Sequence, residues 1–209
     1  MFQQNLIEQK DIWIDYGKRD SSRTEKALLR YTLNHLLQLL DDDADSYFPE
    51  EVYLFPSLTE QIRTGSIVRK RNSDKWFSVM NPACDLVLRK NDRFKTDRIL
   101  LVEIEKELDV TEPALRDITK ASKRKNKLND VFGNNYTDYY HWLPKTDFFK
   151  GGFLNFRKLS TLEIEPFREK FHPPETQISP PFVKDIVARF SSYYARQGQP
   201  NIDFTNFMN

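Results

Sequence analysis

The sequence has 209 residues, a length that suits one large domain or one domain with helical additions. Hydrophobic residues make up 39% and aromatic residues 13%, with 16 Phe against 6 Gly, which excludes a disordered or low-complexity chain. The 32 basic and 31 acidic residues nearly cancel, so the overall charge indicates neither a nucleic-acid nor a membrane partner. Any such signal has to be local. We expect a single α+β domain over 1–209.

The cysteine count and the N-terminus indicate the compartment. One cysteine forms no internal disulfide, which is typical of a reducing environment. No apolar run approaches the roughly 20 residues that span a bilayer. The N-terminus also lacks a basic start followed by an apolar block, so we expect no signal peptide. We therefore expect a cytoplasmic protein with no membrane partner.

The first predicted element is a leading helix over 22–41, which follows an irregular segment, 1–20. Ser22 and Glu25 have the spacing of a capping box, which satisfies free amides in the first helical turn. Leucines at helical spacing form one apolar stripe: Leu29, Leu33, Leu36, Leu37 and Leu40. Beyond this helix, the prolines in 44–64 frame a short extended segment that we expect at the edge of the sheet.

The segment 63–110 is predicted to be the core antiparallel sheet. Three apolar runs begin at Ile67, Trp76 and Ile99, and short polar turns separate them. The last run is nearly all apolar, which suits a strand that is covered on both faces. After it, acidic residues alternate with apolar ones as far as Leu108, so one face of the strand becomes wet as it leaves the sheet.

Helices and further strands are predicted after the sheet. Thr111 and Pro113 form a helix-start signal, and we expect a basic helix over 111–133. Four cations fall on one face of this helix: Lys120, Lys123, Arg124 and Lys127. Further strands are predicted over 150–165. A C-terminal helix is predicted over 179–198 from its apolar residues at helical spacing.

Cys84, Asp85 and His141 are the first candidates for chemistry. A thiol beside a histidine can become a nucleophilic thiolate, and a carboxylate can orient the imidazole. Adjacent strand residues point to opposite faces, so Cys84 and Asp85 share a site only if Pro82 bends the chain. The competing interpretation is that Cys84 is a small buried hydrophobe.

Asp85, Glu103, Glu105 and Lys106 are the candidate residues of a metal-dependent nuclease. Acids on a hairpin, with a lysine near the end of the next strand, can hold a divalent ion and activate water. Their order resembles the PD-(D/E)xK nucleases, but Ile104 stands where those proteins have an acid. Mg²⁺ is the cofactor that this alternative implies, and otherwise we expect neither a metal nor a cofactor. The competing interpretation is a solvated strand end.

The basic helix and the aromatic residues after it are the third candidate, a nucleic-acid-binding face. The four cations of the helix can neutralise phosphates. Aromatic residues that can stack on unpaired bases follow: Tyr136, Tyr139, Tyr140 and Trp142. A second basic cluster comes near the first strand: Arg63, Arg69, Lys70 and Arg71. The competing interpretation is a solvated helix face and core tyrosines with wet hydroxyls.

Residues 65–68 and 76–82 resemble the opening strands of PemK/MazF-type small barrels. Those proteins begin with a Gly-Asp-Ile-Val-like strand and continue with an apolar strand that forms the RNA-binding surface of a ribonuclease toxin. Ser66 stands where that family has an acidic residue, and the Arg-Pro pair before the second strand is absent. Residues 82–86 and 189–200 resemble segments of uncharacterised bacterial proteins that are found with mobile elements or defence loci.

These observations predict an α+β fold, an SH3-like antiparallel barrel or curled sheet with flanking N-terminal, inserted and C-terminal helices. The leading hypothesis is a bacterial cytoplasmic module that binds RNA or DNA, as part of a toxin–antitoxin or antiviral phage-defence system. The alternatives are a protein-interaction adaptor without catalysis and the metal-dependent nuclease. The sequence thus leaves open whether the chain is an enzyme, and whether it has a protein partner or forms a homo-oligomer.

Overall fold

The computed structural model describes residues 6–41, 46–57, 61–89 and 94–195. Contacts within the chain divide it into two compact units, Met1–Ser46 and Tyr47–Asn209, whereas the sequence pattern predicts one domain. The described part of the first unit is helical, and the second unit contains the sheet. Among the described residues, no helix is long and apolar enough to cross a membrane.

The first unit contains helices α1 (Lys10–Arg19) and α2 (Ser21–Asp41), which fold back on each other. The Asp20 carboxylate accepts a hydrogen bond from the Arg23 amide at 3.0 Å, so Asp20 caps α2 in place of the predicted capping box. The helix predicted over 22–41 is confirmed. The irregular conformation predicted for 1–20 is wrong for α1, whose Trp13 ring packs against Tyr31 of α2 and stabilises the helix.

The second unit is built on one seven-stranded sheet. Its strands are β1 (Tyr53–Leu54), β2 (Ser66–Arg69), β3 (Trp76–Val79), β4 (Arg98–Glu105), β5 (Tyr140–Leu143), β6 (Gly152–Glu163) and β7 (Thr176–Ile178). All neighbours are antiparallel, and their spatial order is β1-β7-β2-β3-β4-β6-β5. Within the described residues β1 and β5 are the two edges, so the sheet is curled and open. The predicted α+β class with a curled antiparallel sheet is confirmed.

The helices of the second unit are α3 (Glu107–Leu115), α4 (Ala121–Phe132), α5 (Ile164–Lys170) and α6 (Pro180–Ala195). The single basic helix predicted over 111–133 is wrong, because the chain turns between α3 and α4. Since α3 begins directly after β4, Pro113 falls in its last turn, where the missing amide weakens the helix. The strands predicted over 150–165 form β6. The helix predicted over 179–198 is α6 as far as it is described; 196–198 lie outside the described residues.

Each face of the sheet is covered by a buried apolar cluster over part of its area. On one face α6 places Ile186 in an apolar cluster that includes Val102, and α5 contributes Phe167 to a second cluster that includes Leu101. Successive residues of β4 therefore point into different clusters, as the nearly continuous apolar run predicts. A third cluster forms where α3 and α4 pack over Phe153 of β6. The packing of this third cluster fixes the position of α4 against β6.

Candidate functional site

The N-terminal half of α4 presents cations that pair with no acid among the described residues. Residues 119–126 are all exposed, and they include Lys120, Lys123, Arg124 and Lys125, which we call the α4 cation cluster. The first turn of α4 contains no acidic residue. Within the described residues, none of the four cations forms an ion pair with a carboxylate.

The position of the cluster on the helix adds to its positive potential. Lys120 is the N-cap of α4, and its side chain makes no capping hydrogen bond. A helix N-terminus has about half a positive charge, which nearby cations oppose and nearby anions neutralise. Its unpaired amides also bind anions directly. An anionic ligand would therefore relieve both the repulsion among the cations and their conflict with the helix dipole.

The structure changes the predicted membership of the basic face. Lys127 is half-buried, with Nζ 4.2 Å from the centroid of the Tyr136 ring. Arg124 donates from Nη1 to the carbonyl of Ile118 at 3.1 Å, which ties α4 to the turn before it. The four-cation face predicted for one continuous helix does not include Lys125. The break before α4 exposes every side of its first turns, which brings Lys125 into the cluster.

The predicted base-stacking residues are half-buried and support α4. Trp142 packs edge-on against Phe132 of α4, with 5.1 Å between ring centroids. Tyr140 belongs to the apolar cluster that α3 and α4 form over Phe153. Tyr139 lies beneath Arg157, whose guanidinium carbon is 4.9 Å from the ring centroid. Stacking on bases stays a prediction, and the contacts that the structure shows are those of packing.

The second predicted basic cluster is partly engaged. Arg69 lies over the ring of Trp76, 5.8 Å from its centroid. Arg71 donates from Nε to a backbone carbonyl at 3.0 Å. Arg63 and Lys70 are exposed. The α4 cation cluster is therefore the denser group of uncompensated cations in the described chain.

Strand β6 bulges where it passes the acidic end of β4. The pairing shifts between Val102 and Ile104, so that residues 155–158 of β6 lie opposite Glu103 alone. Bulges re-aim side chains and are frequent beside functional sites. This bulge turns Lys158 toward the carboxylates of β4.

Lys158, Lys75 and Asn155 satisfy the two carboxylates at the bulge. Lys158 Nζ bridges them, 3.6 Å from Glu103 and in closer contact with Glu105. Lys75 Nζ lies 3.0 Å from Glu103, and the Asn155 side-chain amide donates to Glu105 at 3.1 Å. We call these five residues the sheet cluster. They form a network in which each charge has a partner of opposite sign.

Burial and hydrogen bonding have opposite effects on the pKa of Glu105. Burial works to raise its pKa, but hydrogen bonds from Lys158, Tyr140 and Asn155 outweigh burial and hold the pKa of Glu105 below its usual value. The hydrogen bond to Glu105 also raises the pKa of Lys158. Both groups are therefore charged at neutral pH, and the lysine neutralises the carboxylate that the nuclease hypothesis assigns to a metal ion.

The other two residues of the predicted metal centre form ion pairs elsewhere. Lys106 Nζ lies 3.0 Å from Asp74, and Asp85 lies 3.1 Å from Lys95 Nζ. Among the described residues, no group of three or more His, Cys, Asp and Glu side chains is arranged to hold a metal ion. The structure thus brings Glu103 and Glu105 together without the rest of the set.

Cys84 and His141 have separate surroundings. Cys84 is exposed in a short 3-10 helix, Ala83–Asp85, and its thiol lies 3.6 Å from Asp85 Oδ1. The interpretation of Cys84 as a buried hydrophobe is wrong. His141 is buried on β5, where burial and the charge of Arg189 lower its pKa to about 3. The thiol therefore has a carboxylate as its partner, and the histidine is neutral at physiological pH.

Comparisons with known proteins give weak likenesses. No protein family matches the sequence, and no curated protein matches it. The structure is similar to an endoribonuclease from a mycobacterial species, with a TM-score of 0.39 and 9% identity over 68% of this chain and 100% of that chain. A mycobacterial endoribonuclease in complex with its cognate antitoxin gives a TM-score of 0.38 and 10% identity over the same shares.

Proposed function

We propose that the protein is a cytoplasmic module that binds nucleic acid, RNA or DNA, through the α4 cation cluster. The supporting observation is a contrast in ion pairing. Lys75, Lys95 and Lys158 of the second unit each pair with a carboxylate. The four cations at the start of α4 have no such partner among the described residues. A positive patch of this kind attracts an anionic ligand.

A polymer of phosphates suits this patch better than a single small anion. Four cations stand within six positions, from Lys120 to Lys125, and they point to several sides of an exposed helix end. One small anion neutralises a part of this charge, whereas successive phosphates of a strand reach all of it. Each phosphate contact also releases counterions, which makes such binding strongly dependent on salt.

The proposed biological system and compartment are supported by the sequence. The resemblance of residues 65–82 to PemK/MazF-type proteins supports a role in a toxin or phage-defence system. The cysteine content supports the cytoplasm, because the one cysteine, Cys84, is a free and exposed thiol that a reducing compartment would preserve.

A salt series tests the proposal. Labelled mixed-sequence single-stranded RNA and DNA are titrated with the wild type and with Lys123→Glu/Lys125→Glu, which breaks no contact found among the described residues. If all four cations contact phosphates, the logarithm of the affinity falls with the logarithm of salt with a slope of about −3, and the double variant loses about half of that slope. Lys123→Glu/Arg124→Glu has a similar expected effect but also removes the hydrogen bond to Ile118.

A matched control separates a local effect from one of overall charge. Lys10→Glu/Lys18→Glu makes the same charge change on exposed positions of α1. We expect this control to keep most of the wild-type affinity. Absence of binding at low salt, or equal losses in the two double variants, would contradict the proposal and favour the adaptor alternative.

The same assay addresses the nuclease alternative. Run with and without Mg²⁺, it reports shortening of the probe as well as binding. A nuclease that uses Glu103 or Glu105 would lose cleavage on substitution by Gln while remaining folded. Binding without shortening in either condition would leave the binding module as the sufficient account.

A further inference from the structure

Helix α2 has two apolar faces, of which α1 covers one. Towards α1, the ring of Tyr31 lies 5.7 Å from that of Trp13, and Thr24 is buried. The other face consists of leucines that are between 40% and 64% exposed: Leu29, Leu33, Leu36 and Leu37. An exposed row of leucines on one helix is typical of a surface that another chain covers.

The spacing of this face is that of a coiled-coil seam. Leu29, Leu33 and Leu36 are separated by four and then three residues, and Leu40 follows after four more. These intervals place them at alternating d and a positions of a heptad repeat, with Lys26 at the preceding a position. A repeat of 3.5 residues keeps one seam directed at one partner helix.

We propose that α2 pairs in parallel with α2 of a second copy of this chain. The charges beside the seam fit this arrangement. Glu25 falls at a g position and Arg30 at the following e position, and g-to-e′ pairs of this spacing face each other in a parallel dimer. Both side chains are exposed and form no ion pair among the described residues. In the dimer, each Glu25 meets the Arg30 of the other chain.

The shortage of a core in the first unit also points to a second copy. Over residues 6–38, where burial is described, Thr24 alone is buried. Units of this size seldom bury enough apolar surface by themselves and are commonly stabilised by association. A parallel pair of α2 helices is isologous, so the same leucines face each other and the assembly closes as a dimer. Lys26 at an a position favours a defined pairing over larger assemblies.

Sedimentation of the full chain over a wide concentration series tests the dimer. We expect the wild type to approach twice the mass of one chain, and Leu33→Asp, at the centre of the seam, to remain monomeric. Leu108→Asp is the matched control, since Leu108 is 64% exposed on α3 and lies outside the seam. It should dimerise as the wild type does. Circular dichroism verifies that the variants stay helical.

Two results would overturn the proposal. If the wild type is monomeric throughout the series, α2 does not pair with a second copy, and a helix of another protein becomes the partner to test. A dimer that survives Leu33→Asp lies on a different surface. Neither result bears on nucleic-acid binding, which depends on residues of the second unit.

A charge exchange tests the parallel pairing. Glu25→Arg and Arg30→Glu alone each place like charges together at two symmetric points, which should weaken the dimer about tenfold. The combined variant re-creates opposite charges and should recover most of this loss. A combined variant as weak as either single variant would overturn the parallel arrangement.

Discussion

The α4 cation cluster and the sheet cluster contain the same kinds of side chain in opposite states of pairing. In the sheet cluster Lys158 bridges Glu103 and Glu105. At the start of α4, Lys123 and its neighbours form no ion pair with an acid in the described part of the chain. The difference follows from burial, since a largely buried carboxylate is costly unless it is paired, whereas an exposed cation is stabilised by water. The paired charges therefore serve folding, and the unpaired charges are available to a ligand.

The largest expected effect comes from removing the most buried acid of the sheet cluster. The side chain of Glu105 is 11% exposed, and Glu105→Ala removes the acceptor of Asn155 and the closer of the two carboxylates that pair with Lys158. Hydrogen bonds to a charged group contribute about 1.5–3 kcal/mol, and Lys158 is half-exposed and keeps Glu103 as a partner, so we expect a loss of about 2–3 kcal/mol. We expect that loss in the free energy of unfolding, measured by urea denaturation. Nucleic-acid binding at α4 should persist under conditions where the variant is folded.

An exposed ion pair provides the control for Glu105→Ala. Glu165 pairs with Arg168 at 3.0 Å on the surface of α5, and both side chains are exposed. Exposed pairs contribute less than about 1 kcal/mol, so Glu165→Ala should change stability little. Equal losses in the two variants would show that burial does not distinguish the sheet cluster.

The next largest effect comes from His141, which the folded chain keeps uncharged. The pKa of His141 is lowered to about 3 in the folded chain, whereas it is about 6.5 for an unfolded histidine. The stability that depends on neutral His141 is complete above the unfolded pKa and is lost as pH falls towards the folded one. Between pH 7 and pH 5 this amounts to about 2 kcal/mol.

The pH experiment isolates His141 from the sheet cluster. Because the pKa of Glu105 is held below its usual value, Glu105 stays ionised throughout that window. We expect His141→Gln, which does not titrate, to remove most of the dependence of the unfolding free energy on pH. An unchanged slope in this variant would mean that His141 is not the group that titrates.

Much of the fold could be predicted from local sequence. The apolar runs at 67–68, 76–80 and 99–102 became β2, β3 and β4 because their residues are buried in the sheet. The insertion of β7 between β1 and β2 depends on pairing across more than a hundred residues, for which no local pattern exists. Topology of that kind is set by tertiary contacts.

The candidate site was predictable in composition but not in geometry. A count along the chain finds Lys120, Lys123 and Arg124 without any structure. The alternation of Glu103 and Glu105 predicts a strand that continues past 105 and does not indicate the start of α3. The sequence therefore predicts Pro113 in a first helical turn, whereas it lies in the last turn of α3. The contact of Lys158 with Glu105 depends on the bulge in β6, which the sequence does not indicate.

The last two expected effects are small, and the first of them, Lys123→Glu, contrasts the two clusters most directly because its sign is reversed. Lys123 lies in the first turn of α4, where an acid interacts favourably with the helix dipole and a cation does not. We expect Lys123→Glu to stabilise the folded chain by about 0.5–1 kcal/mol while weakening nucleic-acid binding. Charge removal in the sheet cluster does the opposite, costing stability and leaving binding intact.

Lys18→Glu is the counterpart at the other end of a helix. Lys18 lies in the last turn of α1, where a cation is favourable, so the same substitution should destabilise the chain by a few tenths of a kcal/mol. Urea denaturation at low salt measures both effects, and added salt should reduce both. If Lys123→Glu were destabilising, Lys123 would have a structural partner in the folded chain, and its charge would belong to folding as the charges of the sheet cluster do. A stabilising Lys123→Glu that binds poorly would mean that the chain keeps a cation at an unfavourable position for the sake of its ligand.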